Sequence, residues 1–93
     1  MISISTNKNQ LDIHFIHAFI SNTYWAKGRT LAEVQTCIDH SLNFGIYLNN
    51  QQIGYARVVT DYVAFAYLMD VFIAKEFQKQ GYASQLMDFI LKC

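Results

Sequence analysis

The sequence predicts an α+β fold, a mixed sheet with flanking helices, in the order strand, helix, helix, three antiparallel strands, loop, helix. Three stretches carry this prediction. From Phe44 to Val59 the apolar residues recur at a period of two, as they do along hairpin strands. Thr30-Leu31-Ala32-Glu33 is a capping box, in which Thr30 and Glu33 each satisfy an exposed amide at a helix start. Met69 to Leu91 opens as a strand, crosses a polar link containing Gly81, and becomes a helix with Ala83, Leu86, Met87 and Ile90 on one face.

Taken in order, Ile2-Ser3-Ile4-Ser5 alternates like a short half-buried strand, and the polar residues from Thr6 to Gln10 end it. Asp12 can cap a helix whose inner face uses Ile13, Ile16 and Ile20, widened by Phe15 and Phe19 and ending near Asn22. The segment Thr23 to Arg29 gathers two large aromatics, two cations and a glycine, which is loop chemistry suited to recognition. A second helix follows the capping box, with Leu31, Val34 and Ile38 on one face. Phe44, Ile46 and Leu48 then alternate with Gly45, Tyr47 and Asn49. The polar break Asn49 to Gln52 leads into a second strand through Val59. Thr60-Asp61-Tyr62 reads as another turn, and Ala64 to Ile73 as a third strand interrupted only by Asp70. No repeats or low-complexity tracts occur, so the reading is of one domain.

Composition narrows the function classes. In a chain of 93 residues there is room for one core, yet 53% of the residues are hydrophobic and only 15% charged, which leaves apolar surface for a partner. Seven basic and seven acidic residues cancel, giving no electrostatic reason to expect nucleic acid or an anionic membrane. The longest apolar run, Val63 to Met69, is far too short to span a bilayer, and no basic segment leads into an apolar one at the N-terminus. Cys37 and Cys93 do not make a disulfide framework, so the expected setting is cytoplasmic with reduced thiols. His14-x-x-His17 and Cys37-x-x-His40 have helical spacing that chance supplies, and no metal is expected. Tyr62, Phe65 and Tyr67 are expected to pack in the core rather than stack on bases.

The chemistry concentrates at the strand-to-helix link. Gly81 can take a positive φ and lets a ligand approach the backbone, while loop amides and the unpaired N–H groups of the helix start converge on one space. That is a socket for phosphate. Asp70 is expected to share a strand face with Leu68 and Phe72, where desolvation makes it a candidate general base. The competing reading, given more weight, is a hydrogen bond to backbone or to Arg57.

Gln78-x-x-Gly81-x-Ala83 closely resembles the acyl-CoA pyrophosphate loop of the GNAT superfamily of N-acetyltransferases, whose usual form is R/Q-x-x-G-x-G/A. The order of elements is also how that fold begins, so the resemblance spans the chain. Tyr24 to Arg29, Gly54 to Asp61 and Asp70-Val71-Phe72 look like a bacterial subgroup of unassigned substrate. The resemblance implies acetyl-CoA as cosubstrate, bound by Val71, Phe72 and Ile73 and by Gln78, Lys79, Gln80, Gly81, Tyr82, Ala83 and Ser84. It implies a strand amide near Phe72 facing the thioester oxygen, and an acceptor pocket lined by Tyr24, Trp25 and Arg29 that takes an unknown primary amine. Such an amine must be presented unprotonated, which costs roughly 4.6 kcal/mol at neutral pH for a lysine-like group.

Two departures from the family pattern stand out. Lys79 occupies a position where many relatives have glycine. The family's further strand, and the helix whose tyrosine often serves as general acid, would lie beyond Cys93, so a C-terminally truncated domain is expected. Its unpaired strand edge near Ile73, or exchange of the Tyr82–Cys93 helix, would then favour a homodimer. The alternative is a catalytically incomplete fragment that binds CoA or self-associates without turnover.

Overall fold

The computed structural model describes residues 2–22 and 28–92. It contains β1 (Ile2–Ser5), α1 (Ile13–Ile20), α2 (Leu31–Asp39), β2 (Leu42–Leu48), β3 (Gln51–Thr60), β4 (Ala66–Ile73) and α3 (Tyr82–Leu91), with short 3-10 turns at Lys8–Gln10 and Lys75–Phe77. This is the α+β order that the sequence predicts. The strands form one sheet in the order β1-β2-β3-β4, and each neighbouring pair is antiparallel.

Local chemistry explains the boundaries. Asp12 caps α1 by accepting the Phe15 N–H at 3.1 Å, and its own N–H donates to Gln52 Oε1 at 2.7 Å, which ties the helix start to β3. At α2 both halves of the capping box form: Glu33 N–H donates to Thr30 Oγ1 at 3.1 Å, and Thr30 N–H to Glu33 Oε1 at 2.8 Å. Hydrogen bonding from the Thr30 backbone and side chain holds the Glu33 carboxyl below its ordinary range, because the charged form is the better acceptor. Asn49 and Asn50 both adopt positive φ, 51° and 71°, as a two-residue turn matched to strand twist requires. Gln51 and Gln52, read from the sequence as part of the break, are therefore the first residues of β3.

The β3–β4 turn is longer than the sequence suggests. Asp61 Oδ1 accepts the N–H groups of Val63, Ala64 and Phe65 at 2.9 to 3.0 Å, so β4 begins at Ala66 rather than Ala64. Tyr62, Phe65 and Tyr67 do not join the core, being 73%, 54% and 59% exposed. They sit at the hairpin tip and the start of β4, where Tyr62 borders an open hollow beside Met87, Ile90 and Leu91 rather than a packed layer.

Helices cover both faces. On one, Ile16 and Ile20 of α1 and Val34 and Ile38 of α2 meet Tyr55 and Phe72. On the other, Leu86 of α3 meets Phe44, Ile46, Ala56, Val58 and Ile73. Consequently β2 and β3 are buried along nearly their whole length, on the positions of both parities. Fully burying each such Val, Leu, Ile or Phe side chain contributes about 1.5–3 kcal/mol. Leu31, expected on the inner stripe of α2, lies at its rim, and Ala83 of α3 is exposed, while Met87 and Ile90 are half-buried. The close spacing of layers needs Gly54, where an added Cβ would come within 2.6 Å of Ile73 Cδ1 and 2.8 Å of the Phe72 carbonyl oxygen.

Candidate acyl-CoA groove

Pairing between β3 and β4 runs Gly54↔Ile73 and Tyr55↔Phe72, then shifts to Arg57↔Met69 and Val58↔Leu68. Asp70 and Val71 together oppose Ala56, a β-bulge, and Asp70 takes the positive φ of 51° that such a bulge requires. The extra residue changes the phase of the strand. Leu68 thus lies on the α3 side with Val58, whereas Asp70 and Phe72 face α1 and α2, which corrects the expectation that all three share a face.

Asp70 is buried, its side chain only 2% exposed, and its Oδ2 accepts from Arg57 Nε at 2.8 Å and Arg29 Nη1 at 3.3 Å. Arg57 is held further by Ser41 Oγ at 3.2 Å and Met69 Sδ at 3.7 Å. Beside it, the Tyr55 hydroxyl donates to Asn43 Oδ1, and Asn43 Nδ2 donates to the carbonyls of Ile38 and Ser41. Burial pushes the Tyr55 phenol well above its ordinary value. This layer of bonds fixes the bulge against α2. The Arg57 pairing is the second of the two roles read for Asp70 from the sequence. Asn43, Ser41 and Tyr55 were not read as part of a site, although a polar Asn inside an apolar strand is a signal of such a layer.

On the far side of β4 the outer edge faces no strand among the described residues. Ala74 N–H bonds the Ile53 carbonyl of β3, so by the alternation of the ladder the backbone groups of Val71 and Ile73 point outward. Gln78 Nε2 donates to the Ile73 carbonyl at 2.8 Å and anchors the loop to that edge. Gly81 then takes φ 84° and starts α3 without a side-chain cap, leaving the N–H groups of its first turn available. Between edge and helix start lies a groove of about 440 Å³ lined by Val71, Phe72, Ile73, Phe77, Gln78, Lys79, Gly81, Tyr82, Ala83 and Ser84.

Nine of the ten residues expected to bind the cosubstrate line this groove; the exception is Gln80, which is exposed in the loop. Phe77 is an addition that nothing in the loop motif signals, placed there by the 3-10 turn. Lys79 also adopts positive φ, 65°, which accounts physically for a glycine suiting that position. Behind the groove wall, Phe72 stacks on Phe19 with ring centroids 4.0 Å apart and meets Phe15 at 5.7 Å, fixing β4 to α1. Of the expected acceptor residues, Tyr24 and Trp25 lie outside the described residues, and Arg29 joins Asp70 as described above. Among the described residues no group of three or more His, Cys, Asp or Glu is placed to hold a metal ion, and no helix is long and apolar enough to cross a membrane.

No curated protein matches the chain. A protein of the GNAT family from Xanthomonas campestris pv. campestris superposes with a TM-score of 0.95 at 46% identity, covering 98% of this chain and 65% of that one. A GNAT family acetyltransferase from Elizabethkingia anophelis with acetyl-CoA bound gives a TM-score of 0.71 at 21% identity, covering 98% of this chain and 56% of that one. For N-acetylglutamate synthase from Neisseria gonorrhoeae, complexed with coenzyme A and N-acetyl-glutamate, the values are 0.76 and 18%, with 99% and 22% covered. The two more distant likenesses show the fold alone, and this chain spans less than two thirds of each of the three. The family model of the acetyltransferase (GNAT) family matches residues 10–92, and with the strand-bulge-loop-helix groove in place the chain belongs to that family.

Proposed function

We propose that the chain binds acetyl-CoA in the groove between β4 and α3 and presents its acetyl group to a primary amine. The supporting observation is that the outward backbone of Val71 and Ile73 and the uncapped start of α3 at Gly81 line one groove. A helix start with free N–H groups and the positive end of its dipole suits a pyrophosphate, and Lys79 adds a cation there. The strand edge suits an extended amide-bearing arm, and an outward amide of β4 suits the thioester oxygen as it gains negative charge. In the transfer the amine nitrogen attacks the thioester carbon, the C–N bond forms as the C–S bond breaks, and coenzyme A leaves as its thiol, the sulfur gaining one proton as the nitrogen gives one up. Family membership supports acetyl transfer in general; the particular amine is not specified by the groove.

Calorimetry with acetyl-CoA tests this reading. Gly81→Val places a β-branched residue at φ 84°, a backbone conformation it resists, and by displacing the loop and the start of α3 is expected to abolish binding at a cost of about 1–3 kcal/mol in stability. Lys79→Gly, which relaxes a strained backbone, is expected to retain binding with at most a modest loss. Equal affinity of the wild type and Gly81→Val would overturn the reading. Binding without acetylation of any amine would favour the alternative of a CoA-binding chain without turnover.

Self-association belongs to the same reading. β4 ends the sheet of described strands, and Tyr67 and Leu68 on it are exposed, so pairing of two copies along that edge or exchange of the α3 helix would cover apolar surface. Sedimentation equilibrium of the 93-residue chain at micromolar concentration is expected to give a dimer, and a stable monomer would remove this part of the proposal.

A further inference from the structure

We infer that Arg57 is a positioning residue for the acetyl group: through Asp70 it holds the bulge of β4 that turns the Val71 N–H toward the groove. This role rests on the acetyl-CoA reading of the groove, whereas the hold on the bulge rests on contacts of its own. Among the described residues, the non-glycine residues with positive φ are Asn49, Asn50, Tyr62, Asp70 and Lys79. Four of them are exposed in turns or loops, where such a conformation is at home. Asp70, at φ 51°, lies inside a strand and is buried.

A left-handed backbone in a buried strand persists only where its surroundings impose it. Asp70 Oδ2 accepts from Arg57 Nε at 2.8 Å, and Arg57 is itself fixed by Ser41 Oγ and Met69 Sδ. Arg57 pairs with Met69 across the ladder, so its guanidinium holds the carboxylate of the next residue of β4 and fixes where the extra residue falls. Arg29 adds a longer contact at 3.3 Å from just before α2. Phe72, stacked on Phe19, favours the same register, but it lies two residues on and exerts no hold on the torsions of Asp70. A buried ion pair adds little net stability over apolar side chains of similar volume, so stability alone does not account for one at this point.

The bulge decides what the groove meets. The peptide after Asp70 carries the Val71 N–H, so the torsions of Asp70 set the direction of that group. If the ladder ran on from Arg57↔Met69 without the extra residue, Tyr55 would face Val71 and Ile53 would face Ile73. The Val71 N–H would then be spent on β3 instead of standing outward on the groove wall, and the Phe72 side chain would leave the face it shares with α1. With the bulge in place, an amide stands ready for a thioester oxygen as that oxygen gains negative charge.

Two ligands and one torsion test the role. Wild type is compared with Arg57→Met and with Arg57→Met/Asp70→Gly, because glycine takes a φ of 51° without a side chain to hold it there. In ligand-free samples the intraresidue NOE between the amide and α protons of residue 70 is expected to be strong in wild type, as positive φ requires, and weak in Arg57→Met. Titrations then give the ratio of acetyl-CoA to CoA affinity, CoA lacking the carbonyl. Arg57→Met is expected to lower that ratio about fivefold, the worth of one hydrogen bond, and the added Asp70→Gly to restore it. A pair that served stability alone would lower the melting temperature and leave the ratio untouched. Should Arg57→Met not fold, Arg57→Met/Asp70→Ala stands in for it: this variant buries no unpaired charge and differs from the glycine one only by a Cβ that resists positive φ. A strong NOE that survives loss of the pair, an unchanged ratio, or a ratio that glycine does not restore would overturn the inference. If wild type binds neither ligand, the acetyl-CoA reading fails, while the NOE still decides whether Arg57 holds the bulge.

Discussion

Two tyrosines, Tyr47 and Tyr55, look alike in the sequence, each at a strand position between apolar neighbours, and the structure separates them by one hydrogen bond. Tyr55 donates to Asn43 Oδ1, whereas the buried Tyr47 hydroxyl has no hydrogen-bond partner among the described residues. A buried polar group without a partner carries its full desolvation cost, and a satisfied one does not. Tyr47→Phe is therefore expected to leave stability unchanged or raise it by about 1 kcal/mol, while Tyr55→Phe lowers it by about 1–3 kcal/mol, as urea melts will read. The same burial gives a pH signature. The folded value of the Tyr55 phenol is raised above the unfolded one, so its contribution is complete below pH ~10 and is lost as pH rises beyond that. Melts between about pH 8 and 11 are expected to show an alkaline decline that is shallower in Tyr55→Phe than in the parent. Nothing in the alternation of β2 and β3 tells the two residues apart, because a partner's atom decides it and not the residue's own class.

Elements whose signals are local were legible before any coordinates: the Thr30–Glu33 box, the Asp12 cap, the change of period at Asn43 and the glycine before α3. Signals that depend on a neighbouring strand were not. The bulge at Asp70 leaves no mark in the run from Ala66 to Ile73, since it exists only relative to Ala56, and missing it placed Leu68 on the wrong face. The aromatic residues near the β3–β4 turn likewise read as core, whereas the end of α3 leaves an open hollow beside Tyr62 instead of closing over them. The groove was legible because loop and helix start are contiguous in sequence, and the Arg29–Asp70 contact was not, because 41 positions separate its partners. The bulge itself is open to test. Asp70→Asn leaves Arg57 buried without its carboxylate, which is expected to cost about 3–5 kcal/mol if Asp70 serves as counter-ion. As a general base it would instead lower the acetylation rate with stability and acetyl-CoA affinity kept, so a thermal melt beside a rate measurement tells the roles apart.

At the scale of the whole molecule, the sheet is a meander at one end and a long-range closure at the other. β2, β3 and β4 pair through short connections, whereas β1 joins only through Ile2↔Leu48 to Ser5↔Gly45, with both helices lying between the partners in sequence. Closing a loop of roughly 40 residues costs about 2 kcal/mol more in chain entropy than closing one of about 4. Four residues paired on one side only have little with which to offset it. The order of assembly follows: the three-stranded meander forms first and the N-terminal strand docks last, and in the native state it also leaves first. Hydrogen exchange is expected to report this as a separate, low-energy opening, with the bonded amides of β1 exchanging well before those of β3. Equal protection in the two strands would mean that the sheet opens only as a unit. With early release of β1, the edge of β2 beside Ile46 becomes the first part of the core that water, a protease or a neighbouring chain can reach, on the opposite side of the molecule from the groove.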